Sequence, residues 1–389
     1  MLKTTQWLLI SLCCIVISCS KSNTTKPDNE NGPDTTVVVP KQADIPAIDS
    51  QVNVFMTSYN VPALSIAITK GEKLVYLKAY GLADKEKNQK ADTGDIYRIA
   101  SLSKQLTSVA IMKLLDQKKI SLDATVFGPT GLLGTKYSTL PYGPHITEIT
   151  VNHLLHHTSG GWGNSINDPM FSNPNMTADE LITWTLNNRP LTNNPGTSYD
   201  YSNFGYCLLG RVIEKITGQT YEAAVKSLVL SPIGITDMTI SGNTLNERLP
   251  KEVKYYGQSG EDPYAYNIRR MDAHGGWVAS AKDLAKLLVY IDGYPVRADI
   301  LSSQALTTML TTSSANSSYS CGWAINGANY YHTGSLPGTA TEQARTSDGY
   351  NFVILTNTRN LQNKFSVDLD QLFWRALTKN PAWSDKDQF

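Results

Sequence analysis

The chain lacks the compositional features that mark several large classes of protein. Its 34 Lys and Arg residues match its 34 Asp and Glu residues, so no charge excess attracts nucleic acid or an anionic membrane. Of its five cysteines, only Cys207 and Cys321 lie beyond the first twenty residues, which is too few for a disulfide framework. We expect both to be buried free thiols, although export would also permit a bridge between them. We expect no nucleic-acid partner.

Several catalytic and ligand-binding patterns are also missing. The chain has no Gly-x-Ser-x-Gly sequence, which excludes an α/β-hydrolase. His153, His156 and His157 are closely spaced, but they lack the His-Glu-x-x-His arrangement and a clear third ligand, so we expect structural histidines. The glycines at 160, 161 and 163 follow a Thr-Ser turn rather than a strand, which disfavours phosphate binding. We therefore expect no metal and no organic cofactor.

The N-terminal part of the chain has the pattern of a targeting segment followed by a linker. Lys3 gives a positive start, and residues 7–17 form an apolar run too short to span a bilayer. The run ends at Ser18-Cys19, which resembles a bacterial lipobox, with an ordinary signal peptide or an uncleaved membrane anchor as alternatives. The polar residues that follow cannot bury enough apolar surface to fold. We predict a membrane-anchored lipoprotein of the bacterial cell envelope, on its periplasmic or outer-membrane face. Its parts are a signal peptide over 1–18, lipidation at Cys19 and a flexible tether over 19–44.

Apolar patterning predicts strands near both ends of the remaining chain and helices between them. The predicted strands cover 63–69, 73–80, 322–325, 330–331 and 352–356. The predicted helices cover 102–114, a segment opening at the Thr177-x-x-Glu180 capping box, 204–216 and 367–377. This order predicts an α/β (α+β) fold, with an antiparallel sheet from the N- and C-terminal strands flanked by helices. We place one domain over 45–380, a mostly helical insertion at about 96–274, and a tail over 381–389.

The first of three candidate catalytic motifs is Ser101-x-x-Lys104. This spacing places a hydroxyl and an amine one turn apart on the same helix face. A serine hydroxyl is a poor nucleophile until a base takes its proton, and a desolvated lysine amine can be that base. The structural alternative for Ser101 is a helix N-cap. The spacing alone is not specific, because it recurs at Ser18-x-x-Lys21 in the export signal.

Two further motifs follow in order along the chain. Tyr201-x-Asn203 precedes a helical run, and a phenol beside a cationic lysine can relay a proton. Asn203 can position a substrate carbonyl while bonding Lys104, and its structural alternative is a helix cap. The His-Thr-Gly sequence at 332–334 ends in a glycine that suits a strand lying close to a substrate backbone. A single histidine beside two tyrosines is otherwise more often structural.

In this order the motifs resemble those of the class C β-lactamase and DD-peptidase family of penicillin-recognising serine hydrolases. Segments at 149–160 and 275–284 are also similar to that family, so the resemblance covers about 48–377. It implies that Ser101 is the acylated nucleophile and that Lys104 and Tyr201 exchange its proton. It also implies that the substrate is bound by Asn203, His332, Thr333, Gly334 and Ser335, with the backbone N–H groups of Ser101 and Ser335 forming the oxyanion hole.

The resemblance implies hydrolysis of an amide or ester through an acyl-enzyme, with a D-amino-acid peptide (DD-peptidase or D-aminopeptidase type) or a small ester as substrate. The alternatives are a β-lactamase, a penicillin- or muropeptide-binding receptor that acylates without turnover, and a catalytically dead wall-binding lipoprotein. Peptidoglycan fragments are a further expected partner. His332 stands where true class C β-lactamases have lysine, which disfavours efficient β-lactam hydrolysis. If His332 contacts a substrate carboxylate, affinity for acidic substrates should rise as the pH falls through the histidine pKa.

Overall fold

The computed structural model of the protein describes residues 45–379 and 381–389, with the side chain of residue 363 excepted. The described residues all belong to one compact unit. The signal peptide, Cys19 and the tether lie outside this part of the chain, so those predictions stay predictions. Within residues 45–379 and 381–389, no helix combines the length and apolar character needed to cross a membrane.

The described strands and helices follow the predicted order, with strands concentrated toward the two ends. The strands are β1 (Ala63–Lys70), β2 (Lys73–Asp84), β3 (Gln89–Lys90), β4 (Tyr97–Arg98), β5 (Thr239–Ile240), β6 (Trp277–Ala279), β7 (Ala324–Asn326), β8 (Asn329–Leu336), β9 (Thr339–Arg345) and β10 (Tyr350–Thr356). The helices are α1 (Pro46–Tyr59), α2 (Ser103–Asp116), α3 (Val151–Leu155), α4 (Ala178–Asn188), α5 (Asn203–Thr217), α6 (Tyr221–Val225), α7 (Asp272–Gly275), α8 (Ala281–Leu288), α9 (Ser303–Leu310) and α10 (Asn363–Leu377).

The main sheet is antiparallel and joins the two ends of the domain, as predicted. Its strand order is β3–β2–β1–β10–β9–β8–β7, and β1, the first of the ten strands described, pairs with β10, the last of them. Strand β9 was not predicted, because its inward positions hold polar residues instead of an apolar alternation. A second small sheet, β4–β6–β5, was also missed, since each of its strands is only two or three residues long.

The main sheet separates two apolar cores, because successive side chains of a strand point to opposite faces. Ala67 and Val353 face the larger core, which contains α2, α5 and α8. Ile66 and Ile354, one position away, face the smaller core with α1 and α10. The predicted helices at 102–114, 204–216 and 367–377 correspond to α2, α5 and α10. The face that carries the larger core therefore places β8 opposite the start of α2, where the first motif lies.

Candidate active site

Ser101 lies in a tight turn that the surrounding strands hold in place. The turn is a 3₁₀ helix, Ala100–Leu102, between β4 and α2. Ala100 has a φ of 47°, a left-handed conformation that costs a non-glycine residue on the order of 1 kcal/mol. The Ile99 N–H donates to the Trp277 carbonyl at 3.0 Å, and Thr341 Oγ1 donates to the Ile99 carbonyl at 3.1 Å. Strands β6 and β9 thus fix the backbone that presents Ser101.

Ser101 does not cap α2, which excludes the structural alternative for this residue. The N-cap position of α2 is Leu102, and no side chain caps it. The Ser101 side chain is partly exposed and lies beside the Lys104 amine, with 3.2 Å between Oγ and Nζ. The hydroxyl is therefore accessible, and the Lys104 amine lies within hydrogen-bonding distance of its oxygen.

Lys104 is fully buried and hydrogen-bonded on three sides. Besides Ser101 Oγ, its Nζ donates to Asn203 Oδ1 at 2.6 Å and to the His274 carbonyl at 2.9 Å. The amine also lies 4.8 Å from the centre of the Tyr201 ring. Burial lowers the pKa of Lys104 to about 7, against an opposing effect of the Asp168 carboxylate. The neutral amine is consequently well populated at pH 7.

Tyr201 brings a phenol to the same point from the loop before α5. Ser202 caps α5 by accepting from the Gly205 N–H, which excludes the structural alternative of a helix cap for Asn203. The Tyr201 hydroxyl oxygen is shielded from solvent and has no well-formed hydrogen bond among the described residues. Burial raises the pKa of Tyr201, and the nearby Ser101 side chain lowers it by less. Tyr201 is therefore a protonated phenol in the resting site, and Lys104 is the better base.

Asn203 is the first residue of α5 and has both ends of its carboxamide engaged. Its oxygen accepts from Lys104, and its Nδ2 donates to Asp168 Oδ2 at 2.6 Å and to Asn164 Oδ1 at 3.3 Å. Asp168 also accepts from the Met170 N–H at 2.9 Å, and burial raises its pKa. These contacts give Asn203 a role in holding Lys104, and its binding of a substrate amide stays a prediction.

His332 faces the site from β8 in a neutral form. Its Nδ1 lies 2.7 Å from the Thr333 carbonyl, which requires a proton on Nδ1, so Nε2 accepts from the Tyr319 hydroxyl at 3.0 Å. Burial lowers the pKa of His332 to about 3, and the nearby Lys104 adds to this effect. A rise in affinity for acidic substrates near the ordinary histidine pKa is therefore no longer expected.

Gly334 permits a close approach, but to this protein's own backbone. A Cβ at this position would overlap Thr341 Oγ1 and the Ile99 carbonyl oxygen, and would crowd Ala100. These contacts involve only the protein's own residues, so the expectation that the glycine also makes room for a substrate backbone stays a prediction. Its absent side chain lets β8 lie against the turn that carries Ser101.

Ser101 and the third motif border one cavity of about 310 Å³, a size typical of small-molecule sites. On its helical side the cavity surface is formed by Ser101 and Tyr201, with Lys104 and Asn203 buried behind them, and we call these four residues the helical wall. We call its strand wall the group Tyr319, His332, Thr333 and Ser335. Ala324 and Tyr331 complete the lining, which includes neither lysine nor arginine at its surface. Arg359 donates to Ser335 Oγ at 3.2 Å, but its guanidinium is paired with Glu261.

The clustered histidines have structural partners, and the two body cysteines are free thiols. His156 contacts the carbonyls of Asn152 and Thr311, and His157 Nδ1 accepts from the Ser202 N–H. Within residues 45–379 and 381–389, no three His, Cys, Asp or Glu side chains are grouped to hold a metal ion. Cys207 and Cys321 are buried and unpaired, as predicted.

Sequence reasoning missed three contributors to the site: Asp168, Tyr319 and the His274 carbonyl. Asp168 and Tyr319 lie in loops, where no helical or strand periodicity marks them. The His274 carbonyl belongs to the short helix α7 and directly precedes Gly275-Gly276. The family resemblance of that segment assigns no role to His274.

Comparison with known protein structures confirms the fold. The octameric penicillin-binding protein homologue from Pyrococcus abyssi has a TM-score of 0.68 and 26% identity, covering 86% of this chain and 77% of its own. The D-amino acid amidase from Ochrobactrum anthropi SV3 in complex with L-phenylalanine amide has a TM-score of 0.69 and 22% identity, covering 86% and 98%.

Comparison with curated sequences gives further relatives and a family. Protein flp of Staphylococcus aureus (strain MRSA252) is 26% identical over 321 residues, or 80% of this chain, and the match spans only 62% of that relative's length. A putative D-alanyl-D-alanine carboxypeptidase of Escherichia coli O157:H7 is 25% identical over 310 residues, or 68% of each chain. The family model described as Beta-lactamase matches residues 48–372. With this match over most of its length, the chain belongs to the β-lactamase family, as its motifs predicted.

Proposed function

We propose that this protein is a serine hydrolase that forms an acyl-enzyme at Ser101. The observation that carries the proposal is the buried Lys104 amine, 3.2 Å from Ser101 Oγ and with a pKa lowered to about 7. About half of such amines are neutral at pH 7, so the base is available without a large energetic cost. The left-handed turn at Ala100 presents the hydroxyl to a cavity large enough for a small peptide or ester.

In the acylation step, Lys104 Nζ takes the Ser101 proton as Oγ attacks the substrate carbonyl carbon. The carbonyl oxygen becomes an oxyanion, for which the backbone N–H groups of Ser101 and Ser335 are the proposed donors. The bond to the leaving amine or alcohol then breaks, and Tyr201 passes it a proton that is replaced from Lys104. A water molecule attacks the acyl-enzyme by the reverse proton path, which releases the acid and regenerates Ser101.

The neutral strand wall indicates which substrates fit. Substrates that depend on a carboxylate need a cation to bind it, yet His332 is neutral and the cavity surface lacks lysine and arginine. We therefore propose amides, peptides or small esters of D-amino acids whose reacting end carries no essential carboxylate. The D configuration rests on the names of the carboxypeptidase and amidase relatives. Efficient β-lactam hydrolysis is disfavoured by the same absence of a cation.

The test compares the full chain with Ser101→Ala on a substrate panel. The panel contains D- and L-alanine p-nitroanilide, an acylated D-alanyl-D-alanine, p-nitrophenyl butyrate and a chromogenic cephalosporin. The proposal expects turnover of the D-anilide or the ester, little turnover of the cephalosporin, and none of either by Ser101→Ala. Stoichiometric acylation by the cephalosporin without turnover of any substrate would favour the receptor alternative. Equal turnover by Ser101→Ala would exclude the mechanism.

We also propose that the protein is exported and anchored through lipid at Cys19 in the bacterial cell envelope, where peptidoglycan fragments are accessible. The support is the short apolar run before Ser18-Cys19 and the polar linker after it. Metabolic labelling with radioactive palmitate tests this directly. The wild type should carry the label and sediment with membranes, whereas Cys19→Ser should lose the label. Equal labelling of the two proteins would contradict the proposal.

A further inference from the structure

Asp168 is a buried carboxylate that contacts Asn203, and among the described residues it has no direct hydrogen bond to Ser101, Lys104 or Tyr201. It precedes the short helical turn Pro169–Phe171, and only 6% of its surface is exposed. One carboxylate oxygen accepts from Asn203 Nδ2 at 2.6 Å, and the other accepts from the Met170 N–H at 2.9 Å. Both oxygens thus receive N–H donors, an arrangement that the ionised carboxylate satisfies fully.

The carboxamide of Asn203 can be placed in two ways that differ by a half-turn. In one, its oxygen faces Lys104 and its NH₂ group faces Asp168. In the other, the NH₂ group would face the three protons of the lysine ammonium, and the carboxamide oxygen of Asn203 would face a carboxylate oxygen of Asp168. An ionised aspartate accepts and never donates, so it selects the first arrangement. The 2.6 Å bond from Lys104 Nζ to Asn203 Oδ1 is the result.

We propose that Asp168 is a positioning residue for the reaction at Ser101, because its carboxylate fixes the Asn203 carboxamide with its oxygen toward the Lys104 amine. The inference rests on the proposed acyl-enzyme function. A chain of three contacts joins Asp168, Asn203, Lys104 and Ser101, each between 2.6 and 3.2 Å. Loss of the first contact frees the carboxamide to turn and the lysine to leave Ser101.

The same carboxylate also acts on Lys104 by its charge. Burial lowers the pKa of Lys104, and the negative charge of Asp168 raises it in part. The other titratable or charged groups that face Lys104 or Asp168 are Tyr201, Tyr206, His157, His274, His332, Arg189 and Arg270. Burial lowers the pKa of all three histidines and raises that of both tyrosines. Unlike these histidines and tyrosines, Lys104 therefore has a pKa near 7.

The first experiment measures the pH dependence of kcat/KM for p-nitrophenyl butyrate in the full chain and in Asp168→Asn. The substitution removes the charge and one acceptor, so kcat/KM should fall by about ten- to a hundredfold. The acidic limb of the profile should move to lower pH, because Lys104 loses the charge that raised its pKa. Asp200→Asn is the matched control: its carboxylate accepts from Ser165 Oγ on the neighbouring loop. That variant should keep the wild-type profile.

The second experiment exchanges the two side chains, in Asp168→Asn combined with Asn203→Asp. The new carboxamide at position 168 can accept from the Met170 N–H and donate to the new carboxylate at position 203, whose second oxygen faces Lys104. That carboxylate now touches the amine directly, so the acidic limb should move above the wild-type position. A merely structural role for Asp168 predicts lost thermal stability, with no opposite movements of the limb in the single and double variants. The proposal is overturned unless the acidic limb moves to lower pH in Asp168→Asn and to higher pH in the double variant.

Substrate and acylation controls separate the remaining possibilities. D-Alanine p-nitroanilide carries an ammonium group, whereas p-nitrophenyl butyrate is neutral. A positioning role predicts equal proportional loss on both, and a loss confined to the anilide would instead make Asp168 a substrate-binding residue. A wild type that neither the ester nor the D-anilide acylates at Ser101 would overturn the proposed function together with this inference. An acylated wild type and an unchanged Asp168→Asn would overturn this inference alone.

Discussion

The two walls of the cavity each bury one nitrogen base, and burial has opposite consequences for their charge. Burial lowers the pKa of Lys104 on the helical wall to about 7, and that of His332 on the strand wall to about 3. Burial lowers the two pKa values by similar amounts, but the ordinary pKa is near 10.4 for a lysine amine and near 6.5 for an imidazole. Lysine therefore becomes a base that titrates at neutral pH, whereas histidine becomes permanently neutral. Under the proposed function, we therefore expect proton transfer on the helical wall and orientation of an uncharged substrate by the strand wall.

The largest expected effect comes from removing the base of each wall in turn. Lys104→Met should reduce kcat/KM for p-nitrophenyl butyrate by about a thousandfold, because a positioned general base contributes on the order of 10²–10⁴. His332→Gln should reduce it by less than about tenfold, since a neutral hydrogen-bonding group is kept. Steady-state kinetics on both variants, with thermal melting as the folding control, makes the measurement. Comparable losses in the two variants would remove the distinction between the walls.

A second prediction concerns how closely the walls approach each other. Gly334→Ala would drive a methyl group into Thr341 and the Ile99 carbonyl, so we expect it to destabilise the fold by about 1–3 kcal/mol. It should also reduce activity by shifting the turn that carries Ser101. Gly143→Ala is the matched control, because its Cβ would meet only Ile146 at an ordinary 3.5 Å. Chemical denaturation that finds the two variants equally stable would contradict the packing described for β8.

A third prediction uses pH to read the helical wall. The neutral form of Lys104 is the base, so acylation should rise with pH through the lysine pKa of about 7. With that midpoint, the acylation rate should increase about tenfold between pH 6 and pH 8. The increase should be absent from the residual activity of Lys104→Met. Stopped-flow acylation with an excess of ester measures it, and a midpoint unchanged in the lysine variant would assign the limb to another group.

The smallest effects are expected on the strand wall. Tyr319→Phe removes the donor to His332 Nε2, at a cost of about 1 kcal/mol, or roughly fivefold in KM. Because the pKa of His332 lies near 3, affinity for a carboxylate-bearing inhibitor should stay flat from about pH 5.5 to 8. Isothermal titration calorimetry with the inhibitor across that pH range measures this affinity. An affinity that rises as the pH falls would show that His332 gains a proton and binds the anion.

The sequence predicted those parts of the molecule that repeat a simple local pattern. The hairpin of β1 and β2, the helices α2, α5 and α10, and the capping box of α4 all follow from apolar spacing or cap residues. Strand β9 was not predictable in this way, because Thr341, Glu342 and Gln343 are buried polar residues. Thr341 and Gln343 bond to Ile99 and Gln105, which lie 242 and 238 positions away. Tertiary contacts, not local propensity, decide such a strand.

The site was predictable where a motif places two groups one turn apart along the chain. Ser101 and Lys104 lie one helical turn apart, so their contact follows from spacing alone. Asp168 reaches Asn203 across 35 positions that include helix α4, and Tyr319 reaches His332 from a separate loop. Neither contact has a periodic signal. The reason for Gly334 was also hidden, because it depends on how β8 packs against the Ser101 turn.

The most direct test of the central claim is intact-mass spectrometry with peptide mapping of the full chain after exposure to a short activated ester at pH 7.5. The account predicts one acyl adduct per chain, located on Ser101, that forms in the wild type and decays as product appears. It predicts no adduct in Ser101→Ala and a greatly slowed one in Lys104→Met. An adduct on any other residue, or one that forms at the same rate without the Lys104 amine, would contradict the account.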